Sequence, residues 1–188
     1  MDKILIYDTT LRDGAQTSGI AYSVNDKVHI AQHLDQLGVD YLEGGWPSPA
    51  NQRDIDFYEA MRGVTLTHAK LTAFGSTCRS HTPARDDKQL RQLVASGAPV
   101  VTIFGKSWDL HVTEALRVPL DENLRMIEDS LAYLCSAGVE AFYDAEHFFD
   151  GYRANPAYAL ATIEAAARGG ARYLILCDTN GGSLPEQI

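Results

Sequence analysis

The residues most able to do chemistry lie in four clusters. The first is Asp8-Thr9-Thr10-Leu11-Arg12-Asp13-Gly14-Ala15-Gln16, directly after an apolar run. Arg12 and Asp13 are adjacent, so their side chains point in different directions and each can serve its own task. A carboxylate in such a place is a good hard-cation ligand. A neighbouring guanidinium can hold a substrate carboxylate or a developing oxyanion. The same pair also reads as a salt bridge that closes a turn, and residue types alone leave both readings open. Glu43 precedes Gly44-Gly45, Glu146 follows Asp144, and Thr179 follows Asp178. Glu43 and Glu146 suit positioning of Arg12 or proton transfer, or ordinary ion pairing. Thr179 suits a hydrogen bond to a substrate carboxylate, or a helix cap.

Other residue types carry less. His29 and His33 are four apart on an expected helix, a spacing that metal sites use, but Asp26 and Asp35 beside them mark a solvated face. His147 is well placed beside Glu146, yet one histidine says little. No HExxH, GxSxG, Walker or GxGxxG pattern occurs, and Gly44-Gly45 and Gly181-Gly182 are too short to cradle a phosphate by themselves. Cys78, Cys135 and Cys177 are few and far apart, which points to reduced thiols in a cytoplasmic protein rather than to metal or disulfides.

The elements that must position these clusters alternate between strand and helix. Expected strands are Lys3–Asp8, Val39–Glu43, Lys70–Phe74, Val100–Phe104, Glu140–Tyr143 and Tyr173–Cys177. Between them the helical period appears in a segment opened by Ser23, with Val28, Ala31, Leu34 and Leu37 as its stripe and Gly38 as its stop. It recurs over Ala50–Met61, Asp87–Ser96 and Asp121–Ala137, and from Asn155-Pro156 to Arg168. Leu184-Pro185-Glu186 begins another helix. The strand runs are apolar on both faces, as in a buried parallel sheet. Asp13, Gly44, Gly75, Gly105, Glu146 and Asp178, which mark successive strand ends, fall 31, 31, 30, 41 and 32 residues apart. That period matches a (β/α)8 TIM barrel of about 31 residues per unit. The expectation is an α/β fold with about six parallel βα units, an incomplete barrel; an open doubly wound sheet is the alternative. In either fold the chemistry sits at the C-terminal ends of the strands, where these polar clusters lie.

Composition sets outer bounds. The 188 residues carry 45% hydrophobic and 22% charged side chains, which is globular usage. The formal charge of −9 argues against a fixed basic surface for nucleic acid or anionic lipid. No apolar run approaches a membrane span, and no signal peptide opens the chain.

The Asp8–Gln16 run resembles the opening signature of the DRE-TIM metallolyase superfamily, which includes isopropylmalate, homocitrate and citramalate synthases and hydroxymethylglutaryl-CoA lyase. Further landmarks are Val39-Asp-Tyr-Leu-Glu-Gly-Gly-Trp-Pro, Glu146-His-Phe-Phe-Asp-Gly and Leu176-Cys-Asp-Thr-Asn-Gly-Gly. Gly-Gly-Trp-Pro, Glu-His-Phe-Phe-Asp-Gly and Ala15 look most like the citramalate synthase branch. The resemblance implies a divalent-metal-dependent acyltransferase. It would condense acetyl-CoA with a 2-oxo acid, pyruvate in the citramalate case, in isoleucine or leucine biosynthesis. Isopropylmalate or homocitrate synthase, or a 3-hydroxy-acyl-CoA lyase, are the related alternatives. It further implies that Asp13 is a ligand of Mg²⁺, Mn²⁺ or Zn²⁺ and that Arg12 stabilises charge on the keto oxygen. Glu146 would position Arg12 or assist proton transfer, Thr179 would bind the substrate carboxylate, and Glu43 would complete the network around Arg12. The family's His-x-His metal ligands belong to a seventh strand and do not occur by residue 188. The chain 1–188 therefore looks like the N-terminal part of a pyruvate carboxyltransferase-like barrel. On that reading the seventh and eighth units and a C-terminal regulatory domain lie beyond it, and the chain alone is inactive or non-catalytic. A homodimer is the expected state of the whole enzyme. Phe104 and Tyr143 are the expected shapers of the substrate pocket.

Overall fold

The computed structural model describes residues 3–188. Six strands form one sheet in the order β1-β2-β3-β4-β5-β6. This sequential order decides between the two expected architectures, because a doubly wound sheet reverses its strand order at a switch point. The chain divides into two compact units, one reaching to Gly75 and including Arg91–Val101, the other comprising Ser76–Leu90 and Thr102–Ile188.

In the first unit, β1 (Tyr7–Asp8) and β2 (Tyr41–Gly45) run parallel with Tyr7 opposite Tyr41. The segment before Tyr7 was expected as strand but makes no ladder. Asp40 holds it instead: Ile6 N donates to Asp40 Oδ2 at 2.9 Å, and Lys3 pairs with Asp40. β2 pairs in parallel with β3 (Lys70–Ser76), and the register shifts between Glu43, opposite Thr72, and Gly45, opposite Ala73. The extra residue is Gly44. A Cβ there would meet Phe57 at 2.4 Å, so this glycine lets the helix α2 (Gln52–Met61) press on the strand.

Helix α1 (Val24–Leu37) starts in a capping box, with Ser23 Oγ accepting from Asp26 N and Asp26 accepting from Ser23 N. Its buried stripe is not the apolar one expected from Val28, Ala31, Leu34 and Leu37. Lys27, Ala31 and Asp35 are buried, while Leu37 is 78% exposed. Both charged members have partners. Lys27 Nζ meets Asp54 Oδ1 at 2.5 Å, and Asp35 accepts from the N–H groups of Thr67, His68 and Ala69 at 2.7–2.8 Å and from the Thr67 hydroxyl at 2.9 Å. Burial alone would raise the Asp35 carboxyl, but these donors outweigh it and hold its pKa at about 2.

In the second unit, which β4 (Val100–Lys106) enters at Thr102, that strand leads into a short helix α4 (Asp109–His111) and a π-helical turn at Val112–Leu116. Helix α5 (Leu120–Ser136) places Met126, Ile127, Leu131 and Leu134 in the core. β5 (Glu140–Glu146) and β6 (Tyr173–Leu176) pair in parallel, with Phe142 opposite Tyr173. Between them lie α6 (Phe148–Ala154) and α7 (Pro156–Arg168). The sequence pattern does not reveal α6, because its seven residues are too few to show a period. The segment at Leu184 makes only a 3-10 turn, Pro185–Gln187. Helix α3 (Lys88–Ala95) completes the elements.

Candidate active site

Arg12 is held by its turn. The carbonyl of Thr9 accepts from both Arg12 N and Gly14 N at 3.1 Å, Asp8 accepts from Thr10, and Leu11 is buried beneath. The side chain then meets three neighbours within the first unit. Its Nε donates to Glu43 Oε1 at 2.5 Å, its Nη1 to Asp13 Oδ1 at 3.1 Å, and its guanidinium carbon lies 3.8 Å from the centre of the Phe74 ring. Among the described residues, Nη2 has no hydrogen-bond partner. A rigid planar cation stacked on an aromatic face and leaving its Nη2 group open is well shaped for an incoming oxygen.

Glu43 is 1% exposed and lies on β2, as expected from the strand pattern. Its other oxygen accepts from Tyr7 Oη at 2.6 Å. Burial raises its pKa, while Arg12 and then Tyr7 oppose the rise. Asp13 is different. Its side chain is 63% exposed, and only one of its oxygens is engaged, by Arg12. An exposed carboxylate with a free oxygen suits one coordination place of a hard cation. Among the described residues no group of three or more His, Cys, Asp or Glu side chains converges as a metal cluster.

Glu146 and Thr179 belong to the second unit. Glu146 is the last residue of β5 and forms an ion pair with Lys106, the last residue of β4. The strand ends are tied beneath it, with Ser107 N donating to the Glu146 carbonyl at 3.2 Å and Asn123 Nδ2 to the Lys106 carbonyl at 2.9 Å. Sequence reasoning missed Lys106, because a single lysine after an apolar strand looks like surface charge. Thr179 Oγ1 accepts from His147 N at 2.8 Å.

The His147 ring bonds Asp150 Oδ2 through Nδ1 at 3.1 Å and lies edge-to-face against His111, with centroids 4.5 Å apart. Burial and the neighbouring His147 lower the His111 pKa, and the bond from His147 lowers that of Asp150.

The two expected pocket residues part company. Phe104 lines a cavity of about 460 Å³ with Ser76, Arg79, Lys106 and Val118. Tyr143 is fully buried, and its hydroxyl joins Ser107, which in turn bonds Thr162 of α7. Tyr143 is thus part of the packing between strand and helix. Gly44-Gly45 likewise serves packing, since a Cβ on Gly45 would lie 2.5 Å from the Asp54 carboxylate. His29 and His33 are exposed on α1, and all three cysteines are free thiols. No helix of the described residues is long and apolar enough to cross a membrane.

A family model described as HMGL-like matches residues 3–188. The chain belongs to the HMGL-like family. It is 53% identical over 187 residues to the (R)-citramalate synthase of Aquifex aeolicus, covering 100% of this chain and 35% of that protein. It is 31% identical over 188 residues to the 2-isopropylmalate synthase of Solidesulfovibrio magneticus, again covering 35% of the relative. The chain therefore spans about a third of the length of the curated relatives it matches. Among solved structures, the HMG-CoA lyase of Bacillus subtilis superposes with a TM-score of 0.79 at 17% identity, over 98% of this chain and 61% of that one. That likeness is one of fold, and it agrees with the TIM-barrel-like α/β architecture expected from the βα period.

Proposed function

We propose that this chain supplies part of the catalytic site of a citramalate synthase-type acyltransferase, which joins acetyl-CoA to a 2-oxo acid, most simply pyruvate. The observation that carries this reading is the Arg12 guanidinium, clamped by Glu43, stacked on Phe74 and open at Nη2, beside an exposed Asp13 carboxylate. The 53% identity to a named citramalate synthase, against 31% to an isopropylmalate synthase, supports this branch. In this reading residues 1–188 form the first six βα units of the catalytic barrel.

Each residue then has a task. Arg12 offers its open donor to the keto oxygen, where negative charge grows as the new carbon–carbon bond forms. Glu43 fixes the guanidinium's angle through Nε, so that little reorganisation is needed when the charge appears. Asp13 offers one carboxylate oxygen to a divalent cation, which when bound would supply Lewis acidity at the 2-oxo acid. One carboxylate oxygen does not hold a cation by itself, so further ligands would be needed. Thr179 donates a hydrogen bond from its hydroxyl to the substrate carboxylate, and Glu146 accepts or relays a proton.

The test is to assay the full-length protein with pyruvate and acetyl-CoA and follow free CoA. Turnover with pyruvate, lost in Arg12→Ala and Asp13→Ala, is the expected result. Turnover with 2-oxoisovalerate alone would move the protein to the isopropylmalate branch. An unimpaired Arg12→Ala would overturn the assigned roles.

A further inference from the structure

Thr179 is the residue whose task depends most on the direction of one hydrogen bond. A hydroxyl donates one proton and accepts through its lone pairs. Here Oγ1 accepts the backbone N–H of His147 at 2.8 Å, and among the described residues no group accepts the hydroxyl proton. The proton is therefore available to an acceptor outside the described residues, on an exposed threonine.

The donor is delivered by an unusual backbone. His147 has φ 55° and ψ 37°, the left-handed region, which a residue with a Cβ enters at a cost. The turn comes directly after β5. On its far side Phe148 N donates to the Cys177 carbonyl at 3.1 Å, continuing a link already made by Cys177 N to the Ala145 carbonyl. The left-handed residue thus aims two successive N–H groups, of His147 and Phe148, at the chain leaving β6.

The ring of His147 keeps the turn in place. Nδ1 is bonded to Asp150, which also accepts from Arg153 at 2.8 Å and from Asn180 at 2.8 Å, and the ring packs against His111 and Trp108. Such strain persists only where surrounding contacts over-determine it, and it clusters at functional sites.

We infer that His147 is a positioning residue whose left-handed backbone orients the Thr179 hydroxyl as a hydrogen-bond donor toward the carboxylate of the 2-oxo acid. This rests on the function proposed above. It assigns the role to the backbone conformation of residue 147, with the imidazole as its lock.

Two kinds of measurement test it. The first is kinetic, on the full-length protein with pyruvate. His147→Val is β-branched and disfavours the left-handed region, whereas His147→Asn tolerates it. His147→Val is expected to raise the KM for pyruvate about tenfold, the scale of one lost hydrogen bond, with the KM for acetyl-CoA unmoved. His147→Asn should recover most of that loss. Combined with Thr179→Val, His147→Val should add nothing further. A His147→Asn as impaired as His147→Val, or losses that multiply in the double variant, would overturn the inference.

The second is amide hydrogen exchange at residue 147, which needs no turnover. Thr179→Val should speed it, and an unchanged rate removes the hydrogen bond on which the inference stands. If His147→Val does not fold, His147→Asn and Thr179→Val carry the test. A wild-type protein inactive on every 2-oxo acid, with its 147 amide protected and Thr179→Val deprotected, overturns the proposed function and the substrate role of the pair, while leaving the backbone geometry standing.

Discussion

Glu43 Oε1 accepts from Arg12 Nε at 2.5 Å, from a position that is almost wholly buried. The pair joins the second strand to the loop after the first, and its two members carry different burdens. Under the function proposed above Glu43 acts only through Arg12, so substitutions should separate its structural effect from its positioning effect. Glu43→Gln keeps the shape and the bond to Tyr7 but removes the charge that fixes the guanidinium. It should cost little stability and at least about tenfold in kcat, because about 1.4 kcal/mol of transition-state stabilisation is a factor of ten. Glu43→Ala leaves Arg12 uncompensated and should cost about 3 kcal/mol in urea unfolding as well.

The same residue gives a pH signature. Burial raises the Glu43 pKa above its ordinary value of 4.5, so ionising it in the folded state is the costly step. Its contribution to stability is fully present below pH 4.5 and falls away as pH rises through the raised value. Melting temperatures between pH 4 and pH 7 should therefore decline more in the wild type than in Glu43→Gln. Parallel profiles would contradict this account.

Asp35 has the opposite sign. Its carboxyl is held at about 2 by three backbone N–H groups and the Thr67 hydroxyl, so its stabilisation is present above the ordinary 3.8 and is lost as pH falls toward 2. Asp35→Asn should lower the urea unfolding free energy at pH 7 by about 2 kcal/mol, the scale of lost charge-assisted bonds. Its stability should then vary less than the wild type's between pH 4 and pH 2. The clamp lies before β3, at the end of the strands away from the chemistry, so the KM for either substrate should not move.

Gly45 tests the packing role of the glycine pair. It has φ 147°, and a Cβ would approach the Asp54 carboxylate to 2.5 Å. Gly45→Ala should cost at least about 2 kcal/mol in thermal unfolding, from backbone strain and from pushing Asp54 off Lys27. A neutral effect would show that the strand end relaxes freely.

These residues also show what the sequence makes legible. Arg12-Asp13 stands out because charges directly after an apolar strand need a reason, and the βα period places them at strand ends. Partnership is less visible. Lys27 and Asp35 on α1 look like the polar face of an amphipathic helix, yet each is buried because its partner comes from elsewhere, Asp54 or the 67–69 backbone. Side-chain periodicity cannot report a burial that depends on a distant donor. The backbone of His147 is hidden for another reason. A positive φ announces itself in sequence through glycine or asparagine, and here a histidine held by Asp150 adopts it.

Lys106 carries the last prediction. It ends β4 as Glu146 ends β5, and the two side chains pair while 20% and 24% exposed. Glu146 therefore has a fixed cationic partner within its own unit, and its aim depends on Lys106. The pair is partly buried but still reaches solvent, so it contributes about 1 kcal/mol or less to stability, and Lys106→Met should unfold in urea near the wild-type midpoint. Its effect should appear in turnover. With the lysine gone, Glu146 samples several rotamers, and kcat should fall about tenfold, a cost of one charge-assisted bond. Lys106→Arg, which keeps the charge, should recover most of this. The double variant Lys106→Met with Glu146→Gln should be no slower than Glu146→Gln alone, since the lysine acts through the glutamate. Multiplying losses in that cycle would show instead that Lys106 meets the substrate independently.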